Sequence, residues 1–160
     1  MAVKKRQKYA YEVAPDVQKD LEEIVRMLPD DFPHVDTRRV ICYRSRGSTA
    51  RIYARIWSLP GIFSHALGVE PHYVIEVVER YDRSPREERE KTLIHELLHI
   101  PKTFSGALVP HKCFGKKIDC AREGELHEKL VRAREAEARA AVAVRAALRP
   151  TGLTSLDLFT

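Results

Sequence analysis

The chain lacks any apolar run approaching the roughly 18 to 20 residues that a membrane span requires. Its start, MAVKKRQKYAYEV, is basic but carries no apolar stretch of the kind found in a secretory signal. A cytoplasmic protein is expected, with no membrane partner. Cysteine is scarce: Cys42, Cys113 and Cys120 are the three in 160 residues. An odd number this small excludes the disulfide framework of a secreted miniprotein and points to reduced thiols. No internal repeat is present. Charge of one sign is not dominant either, since 28 Lys and Arg against 23 Asp and Glu leave +5. That excess favours a polyanion without requiring one.

What is present suits one compact domain around one core, with 44% apolar and 32% charged residues. The expected division is a domain over 1–149 and a flexible tail over 150–160. In Asp16 to Leu28, Val17, Leu21, Ile24, Val25 and Leu28 recur at helical spacing between Pro15 and Pro29, which predicts an amphipathic first helix. Val40 to Tyr43, Arg51 to Trp57 and Tyr73 to Val78 are short and rich in β-branched or aromatic residues. They predict three strands, the first two as a hairpin across Ser45 to Ser48. Ser84-Pro85-Arg86-Glu87 reads as a capping box opening a helix that ends before Pro101, with Ser84 as its cap. Lys102 to Lys117 reads as a loop punctuated by Gly106, Pro110 and Gly115. Cys120 to Leu148 is dominated by helix formers and predicts a long last helix, broken near Gly124. The fold class is therefore α+β: an N-terminal helix, a small three-stranded sheet, a central helix and a long C-terminal helix.

The central helix carries the chemistry. His95-Glu96-Leu97-Leu98-His99 sets two imidazoles one turn apart, so both reach a single metal ion. Glu96 lies about 100 degrees around the helix from His95, beside the metal and free to hydrogen-bond a water as a general base. With 7 His in the chain, H-E-x-x-H arises by chance in only about 3% of such compositions. A catalytic zinc needs a third protein ligand. His111, 12 positions beyond His99 across the loop, is the first choice. Glu123, Glu125, Glu128 and His127 are alternatives at the start of the last helix. Cys113 is also within reach, although Cys113 and Cys120 make no zinc-ribbon pair and read better as inert thiols. His34, His65 and His72 read as surface or structural histidines.

The run HELLHIPKTFSGALVPHKCFG, with its strand and helix context, resembles metallopeptidases of phage and archaeal sequences, a group within the minimal zincin proteases. The resemblance covers roughly Ala10 to Leu130 and is looser to SprT-like proteases. It implies zinc bound by His95, His99 and His111, with Glu96 as base, and a protein or peptide substrate. The metzincin spacing is absent, because Lys102 and Ser105 stand where Gly and His are needed. No thermolysin-like glutamate motif is evident. In this reading the Tyr73 to Val78 strand holds an extended substrate by backbone pairing. Tyr43, Tyr53, His72 and the arginines are the candidates for an oxyanion contact.

Two further features bear on partners. Ser155-Leu156-Asp157-Leu158-Phe159 resembles, without the usual first glutamine, the short peptides that dock on DNA sliding clamps. Lys4-Lys5-Arg6, Arg38-Arg39 and Arg44-Ser45-Arg46, with Tyr43 and Tyr53, could contact phosphates and stack on bases if they share one face. A zinc endopeptidase acting on DNA-associated proteins is the leading expectation. A metal-dependent nuclease and a non-catalytic zinc-stabilised binding module are the rivals.

Overall fold

A computed structural model describes residues 10–113 and 116–148, without the side chains of 113, 116 and 117. The basic run at 4–6, the tail at 150–160 with its clamp-like peptide, and the Cys113 thiol lie outside the described residues. The architecture is α+β, a four-stranded sheet with its main helices packed on one face.

Strand β1 (Ala10–Val13) leads into helix α1 (Pro15–Met27), and a 3-10 turn (Thr37–Arg39) leads into β2 (Val40–Arg46). Next come β3 (Ala54–Ser58), the short helix α2 (Gly61–Leu67), β4 (Tyr73–Val78) and one turn of helix, α3 (Glu79–Asp82). Helix α4 (Arg86–Leu98), a small hairpin of β5 (Lys112–Cys113) and β6 (Lys116–Lys117), and helix α5 (Cys120–Ala147) complete the order.

The main sheet runs β1-β2-β4-β3. β1 and β2 are antiparallel, β2 and β4 parallel, and β4 and β3 antiparallel. Three expectations are corrected here. The sheet has a fourth strand, β1, too short to announce itself by alternation. The segments at Val40 and Arg51 do not form a hairpin, because β4 lies between them and pairs with both. β4 is consequently an interior strand with no free edge to offer a substrate.

β3 is an outer strand of the sheet, as β1 is on the other side. Tyr53 O accepts from Val78 N and Leu59 N donates to His72 O, so the odd-numbered residues of this segment hydrogen-bond β4. By the antiparallel alternation, Ala54, Ile56 and Ser58 turn their backbone groups outward.

Val40 and Cys42 on β2 and Tyr73, Ile75 and Val77 on β4 are buried. Against them pack Val17, Leu21 and Ile24 of α1, Leu93, Ile94 and Leu97 of α4, and Leu126 and Leu130 of α5. Burial pushes the Cys42 thiol up to about 12, which makes it inert at neutral pH.

One cap and one expected break differ from the sequence reading. Ser84 Oγ donates to Arg80 O and closes α3, so α4 starts one residue later with Pro85 as its cap. α5 passes through Gly124 without a break. Asp119 caps its start by accepting from Arg122 N, and Arg122 and Lys129 both pair with Asp31.

α4 and α5 are joined by a buried charge cluster. Glu90, 5% exposed, accepts from Arg86 within its own helix and from His127 and Arg134 of α5. Burial pushes its carboxyl up, but these three donors more than offset it and leave it below the ordinary 4.5. A group lowered on folding stabilises fully above its unfolded value and loses that contribution as pH falls through the lowered one. Glu90→Gln, which keeps the shape and removes the charge, should cost about 2 kcal/mol at neutral pH. In denaturant titrations the gap between variant and wild type should narrow as pH drops below 4.5; an equal gap at every pH would contradict this assignment.

A three-histidine cluster beside the free sheet edge

Helix α4 delivers His95 and Glu96 from its last turn and His99 from its C-cap. His111 arrives differently. After Pro101 the chain turns at Phe104, whose φ of 48° is unusual for a bulky residue. The Phe104 ring is buried edge-on against Tyr73, with the Arg39 guanidinium over it. The Tyr73 hydroxyl accepts from Gly106 N and donates to Ala107 O, tying the loop to the start of β4. Gly106 has φ of 83°, a left-handed conformation that side chains rarely adopt, and a Cβ there would touch Leu59 O and Pro71 at 3.4 Å. A reciprocal pair then fastens the loop to the helix end: Val109 N donates to His99 O, and His99 Nδ1 donates to Val109 O at 2.6 Å. Two residues later His111 lies over the helix.

The outcome is a compact cluster. His95 Nε2 stands 3.1 Å from His111 Nε2 and 3.2 Å from His99 Nε2. The three ring centroids are 4.7 to 5.0 Å apart. Since a carbonyl only accepts, the neutral His99 ring carries its proton on Nδ1. The Nδ1 of His95 faces Glu123 Oε1 at 2.6 Å, which likewise draws the proton to that nitrogen. Both rings therefore aim an Nε2 lone pair into the cluster. Lone pairs this close repel unless a cation lies between them, and neutral imidazole nitrogens are the donors that transition metals prefer. The residues present fit a metal ion.

Glu96 is 6% exposed and packs between α4 and the outward backbone of β3. Burial pushes its carboxyl up, opposed by the neighbouring His95 and by the Ile56 backbone N–H, while Glu123 adds to the rise. Burial likewise pulls His99 down, with the Val109 carbonyl opposing. A cleft of about 320 Å³ opens beside His95 and Glu96, between Tyr53 and Ala54 at the start of β3 and Glu88 and Lys91 on α4.

Among the alternatives for a third ligand, Glu123 meets His95 from outside the cluster and His127 is engaged with Glu90. Glu125 pairs with Arg122 on the surface, and Glu128 is exposed and outside the cluster. Of the remaining histidines, His34 donates to Ile100 O, His72 to Glu70 O, and His65 is exposed on α2. Of the named oxyanion candidates, Tyr53 lines the cleft, with Arg80 over its ring. Arg38 and Arg39 pair with Asp36, Arg44 with Asp16 and Asp82, and Arg46 with Glu12 and Asp82. Each of these four arginines is thus paired with a carboxylate.

Sequence reasoning missed Val109, whose contribution is a backbone carbonyl, and the placement of β3 beside Glu96. It weighed Glu123 as a ligand, when its contact is with the far nitrogen of His95. The residue type was the signal in that case, and only the approach direction of α5 separates the two roles.

Among the described residues no helix is long and apolar enough to cross a membrane. No curated protein and no solved structure matches the chain. One family model does, over residues 9–135, and its description is "Putative phage metallopeptidase". With most of its length matched, and with a histidine cluster suited to the metal that a metallopeptidase needs, the chain belongs to this phage metallopeptidase family.

Proposed function

We propose that the chain is a zinc-dependent endopeptidase of the minimal zincin kind, with His95, His99 and His111 as ligands and Glu96 as general base. The observation that carries this reading is the convergence of three imidazole Nε2 atoms next to a buried carboxylate on the same helical turn. Zinc–nitrogen bonds of about 2.0–2.1 Å at near-tetrahedral angles hold two nitrogens roughly 3.3 Å apart. The spacings of 3.1 and 3.2 Å are close to that. Three protein ligands leave a fourth position open, the pattern of catalytic rather than structural zinc.

When bound, zinc supplies Lewis acidity, polarising the scissile carbonyl and making water a stronger acid. The chain's residues do the rest. An extended substrate lies along the free edge of β3, pairing with the outward backbone groups of Ala54, Ile56 and Ser58. This edge replaces the Tyr73 to Val78 strand expected from sequence. Glu96 takes a proton from the attacking water and delivers it to the leaving amine nitrogen as the C–N bond breaks. Backbone pairing reads little sequence, which suits cleavage of varied polypeptides. The cleft beside β3 receives a neighbouring substrate side chain. Nothing among the described residues favours DNA-associated substrates, because the arginines that would contact DNA are paired with carboxylates.

Two variants test the roles separately. Native mass spectrometry should find one zinc per wild-type chain and none on His111→Ala after dialysis against a weak chelator; equal zinc on both would remove His111 from the site. Glu96→Gln should keep its zinc and lose 10²- to 10⁴-fold or more in cleavage of denatured casein, about what a general acid–base contributes. Full activity in that variant would sink the mechanism.

A further inference from the structure

The geometry points to Glu123 as a positioning residue, one that fixes the ring and tautomer of His95 from α5 and thereby sets the affinity of the site for its metal. This rests on the reading of His95 as a ligand and extends it to a second helix.

His95 Nε2 serves a metal only when the ring carries its proton on Nδ1 and is held so that Nε2 faces His99 and His111. His99 has both conditions met by its own loop, through the Val109 carbonyl, and is buried. His95 has no such carbonyl. Its side chain is 24% exposed at the cleft, and the group facing its Nδ1 is Glu123 Oε1 at 2.6 Å, short for an N–H···O contact and typical of a charge-assisted one. A carboxylate there keeps the proton on Nδ1, stops the ring from turning and adds electron density to Nε2.

The carboxylate is itself well placed. Glu123 is 16% exposed in the first turn of α5, and its N–H donates to Asp119 O beside the Asp119 cap. The same turn is anchored by Arg122 on Asp31, and the helix by Leu126, by His127 on Glu90 and by Leu130. The start of α5 is thus held by contacts that do not involve the histidine cluster, so Glu123 is presented to His95 rather than recruited by it.

The test compares wild type, Glu123→Gln and Glu123→Ala by chelator competition with zinc, with circular dichroism to check folding. Long-range 1H–15N spectra of the zinc-loaded proteins report the His95 tautomer. Glu123→Ala should bind zinc about 10- to 100-fold more weakly, the usual effect of removing such a partner. Glu123→Gln, which keeps an accepting oxygen without the charge, should recover part of that loss. The His95 Nδ1–H signal should be protected in wild type and exchange rapidly in the alanine variant. Zinc affinity in both variants within threefold of wild type, with an unchanged His95 signal, would overturn the inference while leaving the three-histidine site standing. A wild type that binds no zinc would overturn both. Should the alanine variant fail to fold, the glutamine variant decides by the same affinity and tautomer readouts.

Discussion

An imidazole holds its Nε2 lone pair in one direction when the proton on its Nδ1 has a fixed acceptor, and for His95 and His99 that pairing organises this structure. For His99 the acceptor is Val109 O, which is why the loop after α4 must double back onto the helix end. The same doubling back brings His111 over the helix. The turn at Phe104, the Tyr73 hydroxyl and the close approach at Gly106 all serve that one path. For His95 the acceptor is Glu123, which ties the start of α5 to the cluster. The clustered Nε2 atoms of His95 and His99 are thus set by groups on the far side of their rings.

The sheet contributes by its order. Because β4 inserts between β2 and β3, the strand nearest α4 is an edge, and the outward backbone of Ile56 faces Glu96. A hairpin of β2 and β3 would have enclosed that backbone and left Glu96 against paired strands. The core side of the same sheet carries Tyr73, Ile75 and Val77, so the packing that stabilises the domain also fixes the distance between the edge and α4.

Much of this was legible in the sequence wherever the signal is local. His95, Glu96 and His99 follow from spacing on one helix, α1 from apolar periodicity between two prolines, β4 from its run of β-branched and aromatic residues, and the long last helix from its dominance by helix formers. His111 was reachable because a loop of 12 positions after His99 can turn back over the helix end. The hairpin expectation failed because strand neighbours are chosen by long-range packing, and Ser45 to Ser48 reads as a turn whether the chain doubles back or crosses over. β1, with four residues, offers too little pattern. The Ser84 cap failed for a different reason: its hydroxyl had a competing acceptor in Arg80 O, one turn earlier. The basic pairs were visible, and so was Asp36 beside Arg38 and Arg39, but the carboxylates that meet Arg44, Asp16 and Asp82, come from distant segments. Glu123 was recognised as reactive company for the histidines, yet only the course of α5 shows that it approaches from behind His95.

As proposed, three imidazoles and an open position make a catalytic zinc site on this domain. X-ray absorption at the zinc edge of the loaded protein tests it directly. The expected shell is three imidazole nitrogens and one oxygen at about 2.0–2.1 Å, with no sulfur. A sulfur at about 2.3 Å would bring a cysteine into a closed, structural site and contradict it.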